Sequence, residues 1–174
     1  MKVKFIVVQL GFIMLFSTTE AQKTARVTKV KDGDTFVLGY GSKAFTARLN
    51  NVDAPELKQN AGLNSYLYLN NKIIGKVLEY DSTGKDLYGR TLISAKLEGK
   101  RLDSMLIRDG WAWHYVNYSA DALLDTAMRQ AAFNGLGLWA CGIAKVCPPW
   151  LWRKYNIQNQ MKYCKGCKSN FLTH

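Results

Sequence analysis

Alternation of apolar and polar positions recurs along the first half of the chain and sets its architecture. Ala25 to Val30 alternates and predicts a first strand, and Lys31-Asp32-Gly33-Asp34 is a turn signature that favours a hairpin into Thr35–Tyr40. Gly39-Tyr40-Gly41-Ser42 turns the chain again. Lys43 to Val52 predicts strand three, with Phe45, Ala47 and Leu49 on one side and Arg48 on the other, where it can point into a polar cleft. Pro55 stops that strand, and Leu63 to Ile74 carries apolar residues at 63, 66, 67, 69, 73 and 74, which suits a helix. Lys76–Tyr80 predicts strand four, Ser82 to Asp86 a loop, and Arg90–Leu97 strand five, closed by the turn Glu98-Gly99-Lys100. Two helices follow, Leu102–Asp109 stopped by Gly110 and Ala120–Asn134 ended by Asn134-Gly135, with Leu123, Leu124, Ala127, Met128 and Ala131 on one side of the second. Five short strands with one helix between the third and fourth, then further helices, predict an α+β, mainly β fold: a small OB-fold barrel packed with about three helices.

The length of 174 residues supports one folded domain. Met1-Lys2-Val3-Lys4, the apolar run Phe5–Phe16 and a small-residue exit ending at Ala21 predict a signal peptide over residues 1–21, with a retained anchor as the alternative. The run is too short for an ordinary spanning helix, which needs about 20 apolar residues. The protein is therefore expected to be exported, to the periplasm or outside the cell, with no membrane span after leader removal. The net charge is +11, and losing Lys2, Lys4 and Glu20 with the leader barely lowers it, so the basic surface belongs to the working domain. Such an excess attracts polyanions, nucleic acid foremost.

All four cysteines fall late, at Cys141, Cys147, Cys164 and Cys167. In an exported chain an even count favours disulfides, with three pairings open; the alternative is a Cys₄ zinc site, given the C-x-x-C spacing of Cys164 and Cys167. Residues 22–140 are expected to be the working domain and 141–174 a cysteine-containing extension. In it Arg153, Lys154, Lys162, Lys165 and Lys168 form a basic tail, adding nonspecific phosphate contacts or simply solvated.

The candidate chemistry lies between Val30 and Glu56, with one later residue. Asp34 begins strand two and Asp53 ends strand three, so antiparallel pairing brings them together as oxygen ligands for a hard cation such as Ca²⁺. No His or Cys lies near, so soft metals are poorly served. Singly, Asp34 and Asp53 read as structural residues, Asp32 as a turn residue, and Arg48 and Arg90 as surface ion-pair partners. Jointly they change the picture, because a phosphodiester under attack gathers negative charge that two guanidinium groups and a cation stabilise. Glu56 is placed to orient or deprotonate an attacking water.

D-G-D-T at 32–35, R-L-N-N-V-D-A-P-E at 48–56 and Y-G-R at 88–90 resemble the staphylococcal-nuclease (thermonuclease) family, in order and separation, over Arg26 to Trp139. The resemblance implies an OB-fold nuclease that cleaves DNA and RNA with one Ca²⁺ and leaves 3′-phosphate ends. It implies Asp34 and Asp53 as Ca²⁺ carboxylates, Ala54 as a backbone-carbonyl ligand, Arg48 and Arg90 as phosphate-binding and catalytic arginines, and Glu56 as general base or water-positioning acid. Tyr88 is implied beside the bound nucleotide. Ala54 stands where the best-known member has Thr, and Leu87 where the family has Lys in K-Y-G-R, which predicts weaker contact with a terminal phosphate. His114 is read as packing or surface rather than acid/base; Trp113, Tyr115 and Tyr118 as stacking surfaces for bases or as core; Trp111 and Trp139 as core. The expected partners are DNA and RNA, the protein acting as a monomer with no protein partner indicated. The alternative is an OB-fold module that binds nucleic acid without cutting it, whose expected mark is loss of one of these charged residues. All are present.

Overall fold

The computed structural model describes residues 22–116 and 119–166. The predicted leader 1–21, Tyr118, Cys167 and Lys168 lie outside the described residues. Three strands, β1 (Lys23–Val30), β2 (Thr35–Tyr40) and β3 (Lys43–Leu49), form an antiparallel meander. Next come β4 (Val52–Asp53), helix α1 (Gly62–Ile73), β5 (Val77–Lys85), β6 (Thr91–Leu97) and β7 (Lys100–Arg101). Strand β5 pairs with both β1 and β6, and β6 returns to β3 in parallel register, Arg48 opposite Leu92. That last pairing closes a five-stranded barrel in the order β1-β2-β3-β6-β5, the expected architecture.

Alternation does what it predicts: Phe36, Leu38, Ala47, Leu49, Leu78 and Ile93 are fully buried in the barrel. Apart from the single methyl of Ala47, each such side chain contributes about 1.5–3 kcal/mol by leaving water. Leu69 and Ile73 of α1, Leu106 and Ile107 of α2 (Leu102–Arg108) and Leu124 of α3 (Ala122–Phe133) close the same core. Helix α1 buries its Ser65–Leu69–Ile73 stripe, while Leu63, Leu67 and Ile74 of the apolar set face solvent. On α3, Leu123 likewise faces out. Asp121 caps α3 by accepting from Leu123 N–H, one residue into the predicted span.

Three departures matter. The predicted third strand to Val52 ends at Leu49; Asn50 and Asn51 bend the chain, and β4 pairs with β8 (Trp113–His114) in a separate two-stranded sheet. The predicted loop Ser82–Asp86 is instead mostly strand, since β5 runs on to Lys85, paired with β6 through a bulge between Ser82 and Gly84. It shows no apolar alternation because its outer half is exposed on both faces. The extension is also structured: α4 (Pro149–Lys154) and α5 (Ile157–Tyr163) are bracketed by a Cys147–Cys164 disulfide. Cys141 is disulfide-bonded as well. In a disulfide neither sulfur is the thiolate that a zinc ligand must be. No helix among the described residues is long and apolar enough to cross a membrane.

Trp113 and Trp139 meet edge-on, centroids 4.5 Å apart, in a second small core against which Trp150 packs at 5.3 Å from Trp113. Tyr115 stacks on Trp150. The base-stacking role is thus closed to the buried Trp113. Trp139 is core as expected, and Trp111 is half-buried, stacked on Tyr68. His114 is buried, and its ring nitrogens have no hydrogen-bond partner among the described residues, the packing reading.

Candidate active site

The hairpin between β1 and β2 places the first acid. Asp32 Oδ1 accepts from the N–H groups of Asp34 and Thr35, at 3.0 and 2.7 Å, and so closes the turn. Gly33 is required for close approach: a Cβ there would lie 2.1 Å from Ser65 Oγ on α1 and 2.7 Å from the Ala54 Cβ. Asp34 is thereby pressed against the strand end that carries Asp53. Its Oδ2 accepts from Ala54 N–H at 2.9 Å and its Oδ1 from the Thr35 hydroxyl at 2.9 Å. Asp53 is held by the β4–β8 pair, opposite Trp113, and is 1% exposed.

Arg48 joins the two acids. It sits opposite Thr35 across the β2–β3 ladder, and its Nη2 lies 3.0 Å from Asp53 Oδ1 and 3.4 Å from Asp34 Oδ2. Its Nη1 donates to Leu49 O at 3.0 Å. The barrel face opposite the apolar positions of β3 therefore does hold a buried polar cleft. Burial works against the Arg48 charge, but Asp34 and Asp53 beside it raise its pKa above the ordinary value. Burial likewise pushes the Asp53 carboxyl up, with the Arg153 hydrogen bonds and the charges of Arg153 and Arg48 pulling it back. Asp32 is pushed up to about 7, by burial first and by the charge of Asp34 second.

Glu56 follows on the loop after β4. Its carbonyl lies where a Cβ on Gly62 would come within 1.9 Å, so α1 begins with glycine because the loop rests on it. Gln59 Oε1 accepts from Glu56 N–H at 3.2 Å. Arg90 approaches from the other side: its Nη1 is 3.4 Å from Thr35 Oγ1, and so one hydroxyl away from Asp34. Asp86 holds it, with Arg90 Nε 2.6 Å from Asp86 Oδ2 while Asp86 Oδ1 accepts from the N–H groups of Tyr88 and Arg90. Tyr88 is exposed, and the Arg90 guanidinium lies 5.4 Å from its ring centre. Leu87 projects fully into solvent.

The structure thus gathers Asp34, Arg48, Asp53, Ala54 and Glu56, links Arg90 to them through Thr35, and leaves Tyr88 at the rim. It also adds a residue that sequence reasoning left in the basic tail. Arg153 of α4 donates from Nη2 to Asp53 Oδ2 at 2.8 Å, and from Nη1 to Asp53 Oδ1 at 3.1 Å and Glu56 Oε1 at 2.9 Å. Burial disfavours its charge, yet the hydrogen bonds it donates to Asp53 and Glu56 outweigh it and raise the pKa. The only signals available were the bracketing cysteines and Pro148-Pro149-Trp150, which mark a structured extension without aiming any side chain.

Among the described residues no group of three or more His, Cys, Asp or Glu side chains forms a ready metal cage. The donor set still fits a hard divalent cation. Asp34 and Asp53 are buried carboxylates from separate elements, both ion-paired with the same guanidinium, and a carbonyl, water and phosphate complete such shells. Arg153 takes up both oxygens of Asp53, so the fit requires it to yield one.

Residues 46–141 match the family model described as staphylococcal nuclease homologue. An uncharacterized endonuclease of Haemophilus influenzae is 35% identical over 130 residues, 74% of this chain and 73% of the relative. One of Escherichia coli is 34% identical over 143 residues, covering 82% of this chain and 92% of the relative. A micrococcal nuclease of Shigella flexneri is 29% identical over 139 residues, covering 74% of this chain and 79% of the relative. With the closed barrel and these matches, the chain belongs to the staphylococcal nuclease family.

Proposed function

We propose that this protein is an exported, monomeric, Ca²⁺-dependent nuclease that hydrolyses phosphodiester bonds of DNA and RNA with little sequence specificity, leaving 3′-phosphate ends. The observation that carries the reading is the buried Asp34–Arg48–Asp53 cluster with Glu56 beside it and Arg90 one hydroxyl away. Asp34, Asp53 and the Ala54 carbonyl would hold the cation, which when bound supplies Lewis-acid charge to the phosphate.

The chain's own residues perform the rest. Arg48 keeps N–H donors beyond those spent on Asp53 and Leu49, and turns them to the equatorial oxygens of the phosphate. Arg90, steadied by Asp86, donates from the opposite side. Both guanidinium groups are pre-oriented, so little reorganisation accompanies charge build-up. Glu56 is half exposed, within reach of solvent water, and takes its proton as the water attacks phosphorus. The breaking P–O bond leaves to the 5′-oxygen of the departing strand, and phosphate stays on the 3′ side. The leader of residues 1–21 and the disulfide support export into an oxidising compartment.

End-group analysis tests the product. Cut single-stranded DNA should resist polymerase extension until treated with a 3′-phosphatase; direct extension would contradict the 3′-phosphate. A non-cutting nucleic-acid-binding module is the second reading, supported by the guanidinium contacts that tie up Asp53. Retention of labelled DNA with no cleavage in any divalent metal would favour it.

A further inference from the structure

A cleft of about 450 Å³ adjoins the carboxylates, and Tyr88 is not among the residues that line it. One wall is the loop after β4, at Leu57 and Lys58; the other is the extension, at Trp152 and Gln160. Asp32, Glu56 and Arg153 also line it, so it opens onto the group expected to activate water. The extension wall lies beyond residue 141, where the family match ends.

The wall is built rather than draped. The Cys147–Cys164 disulfide brackets α4 and α5, Gln59 donates to the Cys147 carbonyl, and Asn156 caps α5 by accepting from Asn159 N–H at 2.9 Å. Gln160 donates from its amide nitrogen to the carbonyls of Trp152 and Tyr155, at 2.9 and 3.1 Å. Those bonds fix the amide and leave Oε1 as the acceptor it offers. The volume falls within the range of about 300–1,000 Å³ usual for small-ligand sites. An indole and a leucine supply apolar surface, a fixed acceptor supplies an edge contact, and an exposed lysine supplies a counter-charge. A ligand matching all three is planar, carries N–H donors and is tied to a phosphate. That is a nucleobase in a polynucleotide.

A succession of contacts joins Tyr88 to the cleft: Tyr88 to Arg90, Arg90 to Thr35, Thr35 to Asp34, then Arg48, Asp53 and Arg153. We propose that the cleft between the 56–58 loop and α4–α5 is a second nucleobase subsite, stacking on Trp152 the base across the scissile phosphate from Tyr88. The proposal rests on the nuclease reading above. It makes the extension a substrate-binding element and gives Trp152 and Gln160 roles in positioning the strand.

The test compares a short single-stranded DNA oligonucleotide with bis(p-nitrophenyl) phosphate, which has no base, using full-length protein in Ca²⁺. Trp152→Ala should raise KM for the oligonucleotide about 5- to 150-fold, the range of one lost stacking contact, with a far smaller change in kcat. Trp152→Phe should recover most of it, and the effect on the baseless substrate should be at least fivefold smaller. Equal losses on both substrates, or an oligonucleotide KM within twofold of the unaltered protein, would overturn the subsite. If Trp152→Ala does not fold by circular dichroism, Trp152→Leu retains apolar bulk while removing the indole and is read the same way. If the unaltered protein cleaves neither substrate, the nuclease reading fails. Anisotropy of the labelled oligonucleotide in EGTA then still reads the subsite, with the same ratio between variants expected and its absence overturning it.

Discussion

Replacing Arg153 by alanine separates two effects that normally travel together, stability and cation affinity. Arg153 gives Asp53 two hydrogen bonds and Glu56 one. The Glu56 bond joins two side chains each more than 40% exposed, and such pairs contribute at most about 1 kcal/mol. The Asp53 bonds end on a carboxylate 1% exposed, where charge-assisted bonds contribute about 1.5–3 kcal/mol before discounting for the exposed guanidinium. Arg48 stays on Asp53, so the cost falls short of the roughly 3–5 kcal/mol of an orphaned buried charge. Arg153→Ala should therefore destabilise the protein by about 2 kcal/mol in EGTA, read by urea unfolding. A cation at Asp53 must displace those same bonds, so its affinity should rise by up to about 2 kcal/mol, roughly 30-fold. Titration calorimetry with Ca²⁺ measures this without any turnover. An unchanged or weaker Ca²⁺ affinity in Arg153→Ala would refute the competition.

Other variants probe the supports. Partial burial raises the Asp86 carboxyl, but hydrogen bonds from the Arg90 side chain and from the N–H groups of Arg90 and Tyr88 hold it below its usual range. Its stabilisation is present above about pH 4 and lost as pH falls through the lowered folded-state value, so Asp86→Asn should flatten the acid limb of a stability–pH curve. By freeing Arg90 it should also cut kcat/KM about tenfold or more. Gly62→Ala places a Cβ 1.9 Å from the Glu56 carbonyl oxygen, and should cost about 1–3 kcal/mol by thermal melting and depress cleavage through Glu56. Removing the disulfide, by Cys147→Ser with Cys164→Ser, opens a loop of 17-residue separation worth about 3 kcal/mol on the chain-entropy account. The loss should appear in unfolding by denaturant, and reductant, which also opens the bridge at Cys141, should cost at least as much.

The barrel strands were legible where burial enforces alternation, as at Phe36 and Leu38 on β2 and at Ala47 and Leu49 on β3. Helices α2 and α3 were legible through Gly110 and Asn134-Gly135, which stop them. Outer β5 was not, because backbone pairing with β6 holds it and neither face needs apolar residues. Nor was the β4–β8 pair, two residues on each side, too short to show any period yet decisive for where Asp53 sits. Asp34, Arg48, Asp53 and Glu56 could be read because they fall in one short stretch. Arg153 could not: it reaches Asp53 from 100 residues away, through a helix whose docking depends on tertiary packing and a disulfide.

Cleavage of single-stranded DNA by the leaderless protein, in Ca²⁺ and then in EGTA, with Arg48→Ala and Glu56→Gln alongside, tests the central claim most directly. Cutting should require Ca²⁺ and fall about 10²–10⁴-fold in each variant. Tight DNA binding without cutting in any divalent metal, or cutting indifferent to Glu56, would contradict it.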